Sequence, residues 1–292
     1  MPTFETPRPI LVDLELGVGD VRITAGDRID TTVEVRPTDP TRKSDVAAAE
    51  QTRVEYSDGR LLIRAPKGWR RYTIRGGGES IDVQVEVPSG SQIRGDAGIA
   101  ALHVTGPIGE CQYKTGVGDI QVEQAGPVHL STGVGDIAAH RVAQHAEISA
   151  GSGSVRLGSV DGTAVVKGAN GDTWIGSISR DLRVTSANGS IVVEHSDDRV
   201  VAKTANGDVR LSDIGGGSIV AHTALGKVDV GIRQGVAAWL DLNTTFGKVH
   251  NDLDATGRPE EGEASADVHA RSSFGDITVH RSVATAAVTS SV

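Results

Sequence analysis

Between residues 96 and 281 the chain repeats a short pattern in which apolar and polar positions alternate. Positions seven and five residues before a glycine are apolar, and positions two and four residues after it are mostly apolar. A period of two predicts short β-strands with one buried face. Four consecutive steps between anchor glycines are 18 residues long, and the anchor glycines are Gly118, Gly135, Gly153, Gly171, Gly189, Gly207, Gly226, Gly247 and Gly275.

A central repeat illustrates the pattern. Leu182 and Val184 are separated by Arg183, so the two apolar side chains point to one face of a strand and the arginine to the other. The anchor follows an asparagine at three successive repeats, and an Asn-Gly pair suits a tight turn with positive φ at both positions. Each repeat is therefore predicted to contain a strand, a turn and a second strand.

A unit of 18 residues cannot bury its apolar face alone, but units stacked on one another share a continuous core. This predicts an all-β chain, a β-solenoid of about nine 18-residue coils. An antiparallel meander that closes into a sandwich or barrel is the alternative. The solenoid is favoured because Asn170, Asn188 and Asn206 recur at one phase, so that they stack on successive coils and can hydrogen-bond along the column.

The remaining regions follow the period poorly or not at all. Residues 1–95 are predicted to form a mixed N-terminal β cap that is continuous with the repeats of residues 96–281. Residues 282–292 are small, and we expect a flexible tail. The last repeat is preceded by about ten extra residues, and the segment Asp254 to Glu263 is acidic with Pro and Gly, which predicts an exposed loop.

Two local elements are predicted within the cap. Asp58-Gly59 joins two strand-like runs and predicts a hairpin. Ser44 precedes Asp45 to Glu50, a run of helix-forming residues, and is predicted to cap one short helix.

Composition narrows the functional class. Aromatic residues are 3% of the chain, so the core must consist of Val, Ile, Leu and Ala. The net charge of −9 argues against a nucleic-acid-binding protein. The single cysteine excludes an internal disulfide and a multi-cysteine zinc site, and it suits a reducing compartment. No apolar run is long enough to span a membrane, and residues 1–7 lack the features of an export signal, so we expect a cytoplasmic location.

The sequence contains no pattern of catalytic, cofactor-binding or metal-binding residues. The glycine phrases lack the third glycine of a dinucleotide fingerprint and the spacing of a phosphate loop. Asp119, Asp136, Asp172 and Asp208 share one phase and could bind calcium. Serine and lysine interrupt this column, so we favour the interpretation that the carboxylates cap turns over the interpretation that they bind calcium. We therefore expect no catalytic site, no cofactor and no metal.

One surface segment concentrates cations and aromatic rings in a chain that has few of the latter. Arginine can bind an anionic partner and tryptophan can stack on it, so the segment is a candidate partner-binding site. In the alternative interpretation the tryptophan closes the end of the core and the arginines remain solvated. The candidate residues are Lys67, Trp69, Arg70, Arg71, Tyr72 and Arg75.

With these phrases in place, the chain resembles the bacterial putative-adhesin family of β-strand-repeat proteins, a domain family of unknown function. The resemblance is carried by the segment from Leu14 to Ile23, by the Gly-Val-Gly-Asp-Ile phrases at Gly116 and Gly133, and by the Asn-Gly turns. It implies a β-solenoid without known catalytic residues. It also implies surface display, whereas the absence of an export signal predicts a cytoplasmic chain.

Three functional hypotheses follow. The first is a non-enzymatic solenoid that binds an unidentified protein or polymer and acts as a scaffold. The second is a structural solenoid that polymerises end to end through uncovered apolar ends. The third is a polysaccharide-acting β-helix enzyme, which would need clustered acids with a basic partner on one flank.

Overall fold

The computed structural model describes residues 2–66, 79–254 and 264–282, and the chain divides into two compact units, Met1–Gly162 and Thr163–Val292. Each unit consists of β-strands, and unit 1 also contains one short helix. The predicted all-β solenoid is confirmed, because the strands pair in parallel between successive repeats.

Unit 1 contains thirteen strands and the helix among its described residues. They are β1 (Thr3–Glu5), β2 (Leu11–Gly26), β3 (Asp30–Pro37), α1 (Lys43–Gln51), β4 (Arg53–Ser57), β5 (Arg60–Arg64), β6 (Ile81–Pro88), β7 (Gln92–Pro107), β8 (Cys111–Val117), β9 (Ile120–Ala125), β10 (Val128–Val134), β11 (Ile137–Val142), β12 (Ala146–Ser152) and β13 (Val155–Val160).

Unit 2 contains twelve strands among its described residues. They are β14 (Ala164–Asn170), β15 (Thr173–Ile178), β16 (Leu182–Asn188), β17 (Ile191–Ser196), β18 (Val200–Asn206), β19 (Val209–Ile214), β20 (Gly217–Leu225), β21 (Val228–Ile232), β22 (Ala237–Phe246), β23 (Val249–Asn251), β24 (Ser265–Phe274) and β25 (Ile277–Arg281).

Each predicted repeat contributes two strands to a coil. In unit 1, β10 lies between β8 and β12 and pairs with both in parallel, so that Val128 stands beside Cys111 and Ala146. The second strands β9, β11 and β13 pair in the same way. The inward positions are buried, as the alternation predicts, because they stack into a column that is shared by adjacent coils.

The chain turns at each anchor glycine, which forms a corner of the coil. The predicted positive φ at the asparagine of the Asn-Gly pairs is wrong. Eight of the nine anchor glycines have a positive φ, +136° at Gly189, but Asp58 is the sole non-glycine residue with positive φ in the described chain. Asn188 therefore does not adopt the turn conformation that the Asn-Gly pair suggests. The reason is that the two strands of one repeat do not form a hairpin: each pairs with the next coil, and the corner needs a single glycine.

Residues 11–26 also form part of the coil stack of unit 1. The long strand β2 pairs in parallel with β7 from Leu11 to Thr24, and its other edge pairs in parallel with β5 and β6. Antiparallel strands complete this region, with β3 on β6, β1 on β3 and β4 on β5. The hairpin between β4 and β5 turns at Asp58 and Gly59, both with positive φ, as predicted.

The short helix forms where it is predicted, but the capping role of Ser44 is wrong. Arg42 occupies the N-cap position, without a side-chain capping bond. Ser44 lies inside α1, where its hydroxyl donates to Asp45 Oδ1 at 3.1 Å. The chain turns before the helix because Asp39 Oδ1 accepts a hydrogen bond from the Thr41 amide at 2.9 Å.

The coils of unit 2 do not follow chain order at the C-terminal end. Strand β24 pairs with β20 on one side and with β22 on the other, and β25 pairs likewise with β21 and β23. The last repeat therefore lies between the two repeats that precede it. Among the described residues, β22 pairs with β24 alone, so β22 is the outer strand of unit 2. Accordingly Leu240 and Leu242 are half-buried, whereas the equivalent Val268 and Ala270 on β24 are buried.

Candidate functional site

The residue immediately before each corner position points outward, and these residues stack between coils into what we call the corner column. The described residues include nine exposed large apolar side chains, and six of them belong to this column. Apolar residues are thus concentrated at one register position that faces solvent. The column comprises Val18, Ile99, Val117, Val134 and Ser152 in unit 1, and Asn170, Asn188, Asn206, Leu225, Phe274 and Phe246 in unit 2.

In unit 1 the corner column forms an apolar stripe, Val18, Ile99, Val117 and Val134. These four residues sit on adjacent strands in register, so their side chains lie about 4.8 Å apart. The stripe lines an open groove of about 500 Å³. The other lining residues include Thr38, Ser80, Asp20, Asp82 and Asp119.

Carboxylates accompany the apolar stripe, and the described residues that line the groove include no lysine, arginine or histidine. Asp82 Oδ1 accepts a hydrogen bond from Thr38 Oγ1 at 2.8 Å, and Asp119 Oδ1 accepts one from the Asp136 amide at 2.8 Å. These bonds hold the carboxylates at fixed positions beside the stripe. The groove therefore presents an apolar surface with a negative rim, which suits apolar side chains that lie next to cations.

In unit 2 the corner column begins as the predicted asparagine ladder. Asn188 Nδ2 donates to Asn170 Oδ1 at 2.9 Å, and Asn206 Nδ2 donates to Asn188 Oδ1 at 2.7 Å. The phase argument that favours a solenoid over a meander is thereby confirmed. The amide chain also fixes the rotamers of these exposed side chains.

Toward β22 the corner column changes from amides to large apolar side chains. Leu225 stands beside Phe274, and Phe274 beside Phe246. The two phenylalanine rings stack with centroids 4.8 Å apart and planes 10° apart, although both rings are more than half exposed. Exposed stacked rings of this kind are common at binding surfaces.

The aspartate column after the corner has the capping role favoured above. Asp136 Oδ1 accepts from the Ser154 amide at 2.7 Å. Asp172 Oδ1 accepts from the Ser190 amide at 2.7 Å, and Asp208 Oδ1 from the Lys227 amide at 2.7 Å. Each carboxylate thus bonds to the backbone of the next coil. In the part of the chain that the structure describes, no group of three or more His, Cys, Asp and Glu side chains could hold a metal ion.

A second column, three residues before the corner, was missed by the sequence analysis. Several of its hydroxyl groups donate to the corner carbonyl of the neighbouring coil. Thr132 Oγ1 donates to the Gly118 carbonyl at 3.0 Å, and Thr204 Oγ1 to the Gly189 carbonyl at 3.0 Å. The signal is the recurrence of Thr or Ser three residues before most anchors.

A charged cluster in unit 2 surrounds Asp213. Arg233 donates to Asp213 Oδ2 through Nη2 at 2.7 Å and to Asp197 Oδ1 through Nη1 at 2.8 Å. Ser282 Oγ donates to Asp213 Oδ1 at 2.7 Å. Burial favours the neutral acid, but the hydrogen bonds from Arg233, Ser282 and His195 outweigh it and lower the pKa of Asp213 below its usual range. The cluster joins β19 to the residues after β21 and β25.

The single cysteine is a core residue. Cys111 is buried at an inward position, and burial raises the pKa of its thiol to about 12. Because the thiolate is the reactive form, this thiol is not activated as a nucleophile.

The sequence-predicted partner-binding residues, Lys67, Trp69, Arg70, Arg71, Tyr72 and Arg75, lie outside the described residues. The assignment of this segment therefore stays a prediction. None of the described helices is long and apolar enough to cross a membrane.

Comparisons with known proteins identify one family. The model of the Toastrack DUF4097 family matches residues 12–280. No curated protein matches the chain.

Solved structures show distant similarity to three bacterial proteins. The chain has 12% identity and a TM-score of 0.27 to a putative cell adhesion protein from Clostridium sporogenes, covering 96% of this chain and 98% of that one. It has 14% identity and a TM-score of 0.41 to a putative adhesin from Bacteroides fragilis, covering 72% and 95%. It has 9% identity and a TM-score of 0.40 to a putative lipid binding protein from Parabacteroides distasonis, covering 97% and 96%. At these scores the similarities carry no argument about function.

Proposed function

Because this chain belongs to the Toastrack DUF4097 family, whose name assigns no reaction, we propose its function from the surface of its coils. The chain is a non-enzymatic binding protein that holds an elongated protein or polymer partner along the apolar stripe of unit 1. The observation that carries the proposal is the concentration of exposed apolar side chains in the corner column.

Exposed apolar side chains in soluble proteins are usually scattered singly, whereas contiguous ones mark binding surfaces. Ile99, Val117 and Val134 are contiguous because adjacent parallel strands bring them side by side. They lie on rigid strands whose backbones are paired on both sides. A partner therefore meets a preformed surface and loses little free energy in ordering it.

The charge beside the stripe narrows the class of partner. Asp20, Asp82 and Asp119 line the groove and give it negative potential. A protein segment with apolar and basic side chains complements this surface, and its affinity should fall as salt is added. A neutral polymer would bind through the apolar stripe alone, and salt would not weaken its binding.

The proposal is tested by capturing the partner from native cell extract with immobilised protein. The double variant Val117→Thr with Val134→Thr keeps the β-branched shape but replaces methyl groups by hydroxyls. We expect it to reduce capture roughly tenfold, since each buried methyl group contributes about 0.8 kcal/mol and a tenfold change is about 1.4 kcal/mol.

The matched control is Ile29→Thr, which removes an apolar side chain that is 76% exposed but lies outside the corner column. It should capture as the wild type does. Asp119→Asn keeps the oxygen that accepts the Asp136 amide and removes the charge, so it should weaken capture of a basic partner. Equal capture by the wild type and the double variant would show that the stripe is not the binding surface.

We also keep the cytoplasmic location and the scaffold role as proposals. The location is supported by the single cysteine, which is buried and unpaired. Cell fractionation with an antibody against the chain tests it, and recovery in the extracellular or envelope fraction would contradict it. End-to-end association, the alternative function, has one observation in its favour, an edge of β22 with which no described strand pairs.

A further inference from the structure

Among the described residues, the outer strand of unit 2, β22, has a free edge that is ten residues long. Ala237 donates its amide to the Ala264 carbonyl at 3.0 Å, so its polar backbone groups point toward β24. Alternate residues of a strand direct these groups to opposite sides. The amides and carbonyls of Ala238, Leu240, Leu242 and Thr244 therefore point away from β24, where the described residues provide no partner strand.

This edge lacks the features that usually protect an edge strand. Protected edges are short, charged, bulged or interrupted by proline. Strand β22 contains one charged residue, Asp241, and no proline. Its outward side chains include Trp239, 62% exposed, and the strand ends at Phe246, 63% exposed. Leu240 and Leu242 leave the apolar interior of the coil open at the same place.

The N-terminal edge of unit 1 is protected in the expected way. Strands β5 and β6 are covered by antiparallel β4 and β3, and α1 packs against β3. The covering strand β4 has five residues, among them Arg53 and Glu55. The described residues of this edge offer no long apolar strand to the free edge of β22, so a head-to-tail contact between these two edges is disfavoured.

We propose that the free edge of β22 pairs with β22 of a second copy of this chain in an antiparallel, two-fold arrangement. A two-fold contact uses the same surface of both copies and closes at the dimer. The proposal concerns a different surface from the apolar stripe of unit 1, so either proposal can fail without the other.

The sequence of β22 is self-complementary in one register. With the two-fold axis at Leu242, the two copies of Leu242 face each other and Leu240 faces Thr244, so inward residues meet inward residues. The same register places Asp241 opposite Asn243 and avoids facing two aspartates across the pair. A register centred on Asp241 would oppose like charges. The self-complementarity favours a second copy over an unrelated strand.

Sedimentation of the full chain tests the proposal. We expect a species of twice the 30.3 kDa chain mass that dissociates on dilution. Ala238→Pro removes an amide that points to the free side and should give a monomer with unchanged circular dichroism. Its matched control is Ala237→Pro, which removes the amide bonded to Ala264. The control should lower the melting temperature of the monomer, measured at high dilution, more than Ala238→Pro does.

A second variant keeps the test independent of proline effects. Asn243→Asp opposes carboxylates in the proposed register and should raise the dimer dissociation constant at least tenfold at low salt, while Asn243→Ser should change it much less. A wild-type chain that is monomeric overturns the proposal. The proposal also fails if the chain dimerises only after residues 283–292 are removed, because the chain's own C-terminal segment would then occupy the edge. A dimer that survives both Ala238→Pro and Asn243→Asp also overturns it. A sedimenting mass that keeps increasing with protein concentration would indicate a filament and would overturn the closed dimer.

Discussion

Leu182 provides a sharp test of the coil geometry, because the chain carries a matched leucine at the same phase in the outer coil. Leu182 is 2% exposed on β16 and stands between Ala164 and Val200 of the adjacent strands. Leu240 occupies the equivalent position on β22, where it is half-buried. Replacing either leucine by alanine removes the same atoms from two different environments.

The expected cost differs because the two sites differ in burial and in their ability to relax. Truncating a buried leucine to alanine costs about 2–5 kcal/mol, and the cost is highest where the surroundings cannot collapse into the cavity. The backbones on both sides of Leu182 are held by parallel ladders, so we expect about 3 kcal/mol or more there. For Leu240→Ala we expect less than about 1.5 kcal/mol, because a half-buried side chain loses only part of its transfer free energy.

Urea unfolding followed by far-ultraviolet circular dichroism measures both changes. The midpoint should fall for Leu182→Ala with an unchanged slope, which would show that stability changed and the extent of unfolding did not. The melting temperature should fall by roughly 6–12 °C, at about 2–4 °C for each kcal/mol. A loss below about 0.5 kcal/mol for Leu182→Ala would refute the inward assignment of this phase, and equal losses for the two variants would refute the greater burial of Leu182.

Four further outcomes are expected. Gly189→Ala should lower the free energy of unfolding by roughly several kcal/mol, because the backbone would be strained and an added Cβ would lie 2.1 Å from the Gly171 carbonyl oxygen. A melting curve equal to that of the wild type would contradict this. Millimolar calcium or a chelator should leave the melting temperature unchanged, and a shift of several degrees would contradict the capping role of the aspartates. Asp213→Asn should destabilise the chain at neutral pH, because the lowered pKa of Asp213 in the folded state contributes stability that is fully present above the usual pKa of aspartate, about 3.9. The difference should shrink below that pH and vanish as the pH falls through the lowered pKa of the folded state; a pH-independent difference would exclude the charged cluster as the cause. If the segment from Lys67 to Arg75 binds an acidic partner, Arg70→Glu with Arg71→Glu should abolish capture of that partner without changing the melting curve. If the segment only closes the core, Trp69→Ala should unfold the chain and the charge reversal should leave capture intact.

The sequence could predict the coil geometry because the same physical demand acts on every repeat. Inward positions must be apolar in each coil, so Val128, Leu182 and Val268 share one phase, and all are buried. The asparagine ladder follows from the same periodicity. The hydroxyl column at Thr132 and Thr204 has an equally regular signal, but its purpose is visible only when the neighbouring corner carbonyl is in place.

The order of the coils could not be predicted from the pattern. Leu240 on β22 and Val268 on β24 have the same phase, so the pattern permits either strand to pair with β20. The residues of the corner column precede glycines in the sequence, and a residue before a glycine is typical of a turn. Exposure of Ile99 and Val117 depends on the direction in which each corner bends, which alternation alone does not specify.

The interleaved coils of unit 2 have a consequence for the path of folding. During synthesis β22 leaves the ribosome before β24, when the edge of β20 is still free, and β22 matches that edge in phase. A chain that pairs β22 with β20 first must separate them again before β24 can be inserted. Folding therefore cannot proceed as simple growth from the N-terminus, and we expect a slow refolding phase from this kinetic trap, which Ser265–Arg281 resolves. A refolding trace with a single exponential would argue against the trap. A nascent chain that stops before β24 would keep β22 paired with β20, which is not its partner in the folded chain.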